Sequence, residues 1–167
     1  MEARVRDDLV GGVVAWWERH APELPTQTIE FTKRVARMHA LTDRVTVAVL
    51  ARSGLSRAEY DVLGTLLTAG EPHLKPSELS SRLLLTTGGL SNVLRSLERR
   101  GLTAQTSDAT DGRSRRVALT PEGGATAERV VREVVAAQHE LVGRAELTAA
   151  VEALRSVLGT IDPSAEA

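Results

Sequence analysis

The residues whose chemistry calls for a partner are arginines. Between positions 82 and 116 stand Arg82, Arg95, Arg99, Arg100, Arg113, Arg115 and Arg116, opposed only by Glu98, Asp108 and Asp111. That segment carries +4 in a chain of net charge −1, so the remainder carries −5. A basic segment on an acidic body is a segregated field, as a specific contact surface for a polyanion would be. Arg113, Arg115 and Arg116 fall in "TSDATDGRSRRVALTPEG", residues 106–123, whose polar centre forms turns and whose end returns to apolar alternation. No core accepts three guanidinium groups, and an exposed tip has no packing use for them. They can offer charge-assisted hydrogen bonds to phosphates and to the acceptor edges of bases. Arginines that merely solvate a surface are the alternative.

Other chemistries lack their residues. There is no cysteine, which removes thiol catalysis and disulfides and is compatible with a reducing cytoplasm. His20, His39, His73 and His139 are scattered without metal-ligand spacing. No glycine-rich phosphate loop and no workable Ser/His/Asp order is present, so neither catalysis nor a cofactor is expected. The longest apolar run near the start, "VVAWW" at 13–17, is too short for a signal-peptide core or a membrane span. A cytoplasmic location with no membrane partner is the expectation.

The elements that must hold the arginines follow from periodicity and punctuation. Residues 1–20 read as a short helix stopped by Pro22 and Pro25. From Thr26 to Arg52 a long helix carries Phe31, Val35, Met38, Thr42, Val45 and Val49 at helical spacing. Ser56 and Glu59 form an S-x-x-E capping box for a helix that turns Tyr60, Leu63, Leu66 and Leu67 inward and ends at Gly70. Pro76 opens a short helix with Leu79, Leu83 and Leu84 on its apolar side. Thr86 or Thr87 caps the next, in which Leu90, Val93, Leu94 and Leu97 share a face and Gly101 supplies the stop. "LTAQTS" and "RRVALT" read as strands joined by the turn "DATDG". Thr120-Pro121 starts a helix running to about Gly143, and Leu147, Val151, Leu154, Leu158 and Ile161 mark the last.

Three helices followed by a two-stranded ribbon is a winged helix-turn-helix, and the fold class is therefore mostly α (α+β). The divisions are 1–52, an extension helix and a long dimerisation helix; 53–120, the winged unit; and 121–167, C-terminal dimerisation helices. In such a unit the third helix enters a major groove of double-stranded DNA and the wing reaches a flanking minor groove. Thr86 and Thr87 would bind a phosphate with the first free amides of that helix. Ser91, Asn92 and Arg95 face outward near its start, with Arg99 a turn beyond, where they can meet base edges. Gly88 and Gly89 permit close approach of a phosphate backbone or mark a loose helix start. Arg113 occupies the wing tip, and Asp111 can hold that loop in shape. Arg115 and Arg116 alternate faces, so at most one points comfortably at DNA. The apolar stripes at 31–49, 127–141 and 147–161 exceed what one small unit can cover, which favours a homodimer.

"SELSSRLLLTTGGLSNVLRSLERRGLTAQTSDATDGRSRRVALTPEG", residues 77–123, resembles the DNA-binding core of the MarR family of bacterial repressors. The resemblance rests on D-x-R at the wing (Asp111-Gly112-Arg113), V-x-L-T-x-x-G (Val117 to Gly123) and L-E-R-x-G-L (Leu97 to Leu102). It implies an obligate homodimer with intertwined terminal helices and repression relieved by a small ligand. "AWWERHAPELP" is similar to the urate-responsive subgroup: Trp17, Pro22 and Leu24 are in step, and Asp61 in "EYDVL" matches its aspartate. The subgroup's ligand arginines are replaced by Val93 and Gln105, which leaves the effector unidentified. Trp16 and Trp17 offer either packing or a platform for a flat ligand, and His39 and Arg44 are the nearest polar partners for it. Asp61 would be a ligand group, an exposed carboxylate or a salt-bridge partner locking the wing to the dimer helices. A winged module that binds protein and no DNA is the remaining alternative.

Overall fold

Each helix boundary has an identifiable cause. In a computed structural model that describes residues 8–71, 73–83, 87–107, 115–143 and 147–161, the Asp8 carboxylate accepts the Gly11 amide at 2.7 Å and caps α1 (Leu9–His20). Gly11 is buried where α1 runs back along α2 (Thr26–Ser53). Arg34 on α2 donates to Asp8 and to Glu30, pinning the two helices together. Gly54, at φ 62°, ends α2 in the left-handed conformation that glycine adopts most easily. The expected box forms, Ser56 Oγ accepting from Glu59 N and Glu59 from Ser56 N, and begins α3 (Arg57–Thr68). α4 (Pro76–Leu83) and α5 (Thr87–Arg99) follow, and Gly101 (φ 69°) turns the chain into the wing.

The wing pairs β1 (Thr103–Ser107) with β2 (Arg115–Leu119) antiparallel, from Thr103↔Leu119 to Ser107↔Arg115. Residues 108–114, which include the expected turn, lie outside the described residues. So do Leu84 and Thr86. Leu74, read from sequence as loop, exchanges both backbone hydrogen bonds with Val117 and adds a short third rung to the ribbon. Thr120 caps α6 (Pro121–Val142) by accepting from Gly123 N, and its hydroxyl donates to Gly101 O at 2.6 Å. Gly123 is forced: a Cβ there would stand 1.8 Å from the Leu102 carbonyl oxygen. α7 (Leu147–Ile161) completes the chain.

One core joins these elements. Val49 and Leu50 of α2, Val62, Leu63 and Leu66 of α3, Leu79 of α4, Leu90, Leu94 and Leu97 of α5, Val117 of the wing and Ala127, Val130 and Val134 of α6 form a single cluster. Leu67 is an exception to the expected α3 face, standing 38 % exposed, because Leu63 and Leu66 already fill the side toward α5 and α6. The surplus apolar surface lies elsewhere. Phe31, Val35 and Met38 on α2, Val135 and Leu141 on α6 and Val151, Leu154 and Leu158 on α7 are all exposed, and α7 has no buried residue.

A polar clamp seats α5. Glu59 is buried, yet its carboxylate accepts from Ser96 Oγ at 2.8 Å and from Arg100 Nη1 at 3.2 Å besides its own cap. Arg100 also donates to Gly54 O at 3.0 Å, so the ends of α2, α3 and α5 meet at one carboxylate. Arg100, counted from sequence in the charge of the basic segment but not among the DNA contacts, thus pairs within the protein while remaining exposed to solvent. Burial alone would raise the Glu59 pKa. The Ser56 amide, the Ser96 and Ser56 hydroxyls and the Arg100 charge outweigh that and hold it below the usual glutamate range.

Two stability predictions follow from these contacts. Gly123→Ala must push α6 off the Leu102 carbonyl and should cost about 2 kcal/mol or more in urea unfolding, of the order of overpacking penalties. Glu59→Gln should cost about 1–2 kcal/mol at neutral pH, lower than for a fully buried pair because Arg100 is partly solvated. Since the folded pKa is depressed, the wild-type advantage is complete above the ordinary glutamate range and disappears as pH falls through the folded value. Thermal melts of both proteins from pH 7 downward should converge; a constant gap would mean that the charge contributes nothing.

Candidate nucleic-acid interface

α5 divides cleanly because leucines recur at 90, 94 and 97, one face of a 3.6-residue helix. Those three are buried and Val93 is half-buried. Gly88, Gly89, Ser91, Asn92, Arg95, Glu98 and Arg99 are exposed. Of the phosphate candidates at the helix start, Thr87 is the first residue of α5 and not its cap, and Gly88 has open space where a Cβ would point. Thr86, Asp111 and Arg113 lie outside the described residues.

The exposed face is organised. Arg95 Nη2 donates to Asn92 Oδ1 at 2.7 Å, and Arg95 Nε to Ser91 O at 3.3 Å. Asn92, Arg95, Glu98 and Arg99 border a shallow groove of about 410 Å³. A second groove, about 390 Å³, runs between α4 and α5 past Ser77, Ser80, Ser81, Leu90 and Ser91. Hydroxyls at such a groove suit phosphate oxygens.

The wing is tied to this helix. Arg115 Nη1 donates to Gln105 Oε1, and Gln105 Nε2 to Glu98 Oε2, each at 3.4 Å. Arg115 lies on the ribbon face shared with buried Val117, and Arg116 on the opposite face, half-buried, as the alternation expected. Arg82 is exposed on α4.

The candidate effector residues are spread along the chain. Trp16 and Trp17 meet edge to face with centroids 4.9 Å apart, and Trp16 stacks on His20 at 4.0 Å. One face of Trp16 is therefore already occupied within α1. From the Asp8–Arg34 contact, Trp17 lies nine residues along α1 and His39 five residues along α2 the opposite way. At helical rise that places them about 20 Å apart. Arg44 is exposed further along α2. Asp61 accepts from Arg57 at 3.0 Å, and Arg57 also pairs with Asp43 on α2. That bridge joins α3 to α2, not to the wing. A separate cleft of about 480 Å³ at the start of α1 is bordered by Asp8, Leu9, Val10, Lys33, Ala36 and Arg37, none of them anticipated from sequence.

Sequence reasoning also missed the clamp. S-x-x-E signalled the cap at Glu59, but its reach to Ser96 and Arg100 spans about forty residues and leaves no local signature.

The comparisons with known proteins agree with this geometry. The sequence model of the MarR family matches residues 53–114. The HTH-type transcriptional regulator PecS of Dickeya dadantii is 30 % identical over 134 residues, covering 80 % of this chain and 81 % of PecS. Among solved structures, a cysteine-to-serine variant of MarR from E. coli complexed with operator DNA superposes with TM-score 0.67 at 21 % identity, over 88 % of this chain and 98 % of that one. CouR from Rhodococcus jostii RHA1, bound to p-coumaroyl-CoA, gives TM-score 0.67 at 21 % identity over 77 % and 90 %. Fold, motif-bearing segment and likeness to PecS over four fifths of each chain converge: this chain belongs to the MarR family of winged helix-turn-helix transcriptional regulators.

Proposed function

We propose that the chain acts as a homodimeric repressor in which two copies of α5, related by a two-fold axis, read a pseudo-palindromic operator with half-sites about one helical turn apart. The observation that carries this reading is the exposed polar face of α5, Ser91-Asn92-Arg95-Arg99, presented beside the wing while the leucine face is buried. Thr86, Thr87 and Gly88 would seat a phosphate at the helix start. Arg113, Arg115 and Arg116 would engage the flanking backbone or minor groove, with Asp111 shaping the loop. The solved complex of the MarR variant with operator DNA supports the placement.

The dimer reading rests on apolar surface that one chain leaves open, above all α7 with no buried residue. Intertwining α7 with its counterpart and with α2 and α6 would cover Phe31, Val35, Met38, Leu154 and Leu158. A small aromatic or anionic effector would release the DNA, by analogy with the ligand-bound state of CouR. Either Trp16 and Trp17 on α1, or His39, Arg44 and Asp61 further along, would be its contacts, since about 20 Å within one chain separates Trp17 from His39. Such an effector acts only by binding the two dimer conformations unequally.

Fluorescence anisotropy with DNA from upstream of the protein's own gene tests this directly. Arg113→Ala should weaken binding and reduce the log–log salt slope by ~0.9 if it neutralises one phosphate. Unchanged affinity and slope would remove the wing from the interface. Asn92→Ala should instead flatten the difference between specific and scrambled DNA. Equal weakening on both would argue against any part for Asn92, direct or through a neighbour, in base reading.

A further inference from the structure

The hydrogen bonds on the outward face of α5 discriminate between two ways of reading a base. An asparagine reads adenine with both ends of its amide, Oδ1 accepting from N6 and Nδ2 donating to N7. Here Asn92 Oδ1 already accepts from Arg95 Nη2 at 2.7 Å. Arg95 Nε is also directed inward, to the Ser91 carbonyl one turn back. The side edge of the guanidinium, Nε with one Nη2 proton, thus lies along its own helix. Among the described residues Arg95 makes no other side-chain hydrogen bond.

What remains outward is the end edge, an Nη1 proton parallel to the second Nη2 proton. Two parallel donors match the adjacent O6 and N7 acceptors that guanine presents in the major groove. The reach is also right. Helical side chains lean toward the N-terminus, so the Arg95 head lies over residues 91 and 92, toward the end of the helix that enters the groove. Neither neighbouring cation is held in this way. Arg99 Nε meets only the Arg95 carbonyl at 3.4 Å, and Arg100 is turned to Glu59 and Gly54.

We propose that Arg95 is the specificity-determining residue of α5, reading one guanine per half-site through its end edge, and that Asn92 is a positioning residue which holds that edge outward. This rests on the DNA-reading role proposed above and names its sequence content.

The test selects binding sites for the wild-type protein from a randomised duplex library, then measures affinities for the selected site with single-base changes. A G·C pair should recur at one position in each half-site. Replacing that guanine by 7-deazaguanine, which lacks the N7 acceptor, should weaken wild-type binding roughly ten-fold, within the range a bidentate contact supplies. Arg95→Ala removes both outward donors, and should bind the selected and deaza sites equally. Asn92→Ala should narrow the same difference without moving the preference to another base. Circular dichroism melts, expected to be unchanged for these exposed residues, separate a lost contact from a lost fold.

If the wild type selects a site but Arg95→Ala retains every base preference, Arg95 is only a phosphate contact and this inference falls while the DNA-reading role stands. If the wild type selects no sequence at all, the role itself fails.

Discussion

The orientation of α5 is the constraint on which the functional surface depends. Leu90, Leu94 and Leu97 are buried against the other helices, and truncating any of them would cost about 2–5 kcal/mol. Burial of that row leaves Ser91, Asn92, Arg95 and Arg99 no choice but to face outward. Apolar burial fixes which face is hidden but tolerates sliding and rotation of the helix by small amounts. Glu59 limits that freedom, because its hydrogen bonds to Ser96 and Arg100 have preferred lengths and directions. A non-directional force therefore selects the face, and a directional one sets its register.

The same clamp ties α5 to the rest of the chain. Gly54, Glu59 and Arg100 bring together the ends of α2, α3 and α5, and Arg57, held by Asp61 on its own helix, ties α3 to α2 through Asp43. α2 is 28 residues, about 42 Å long, with its C-terminal turns in the core and its Phe31–Met38 stripe exposed. At the same end of α5 as the clamp, Glu98, Gln105 and Arg115 carry the connection into the wing.

Most of the fold was legible because its signals are local. Capping residues at Ser56 and Thr120, left-handed glycines at 54 and 101, and leucines at helical spacing each act within a few residues, and the helices begin and end where those signals stand. The motif V-x-L-T-x-x-G acquires a physical meaning: Thr120 bonds Gly101 and caps α6, and Gly123 must lack a Cβ beside Leu102. What escaped was long-range. Leu74 is a single residue too short to show strand alternation, and it pairs with Val117 forty-three positions away. The Glu59 and Gly54 partners of Arg100 lie more than forty positions away in sequence, so nothing local announced them.

A photoreactive phenylalanine analogue placed in turn at position 92, on the exposed face of α5, and at position 151, on α7, tests the orientation of the reading surface most directly. Irradiation with duplex DNA carrying the selected site should crosslink protein to DNA from position 92 and not from position 151. Equal crosslinking from both positions, or none from position 92, would mean that DNA does not lie along the outward face of α5.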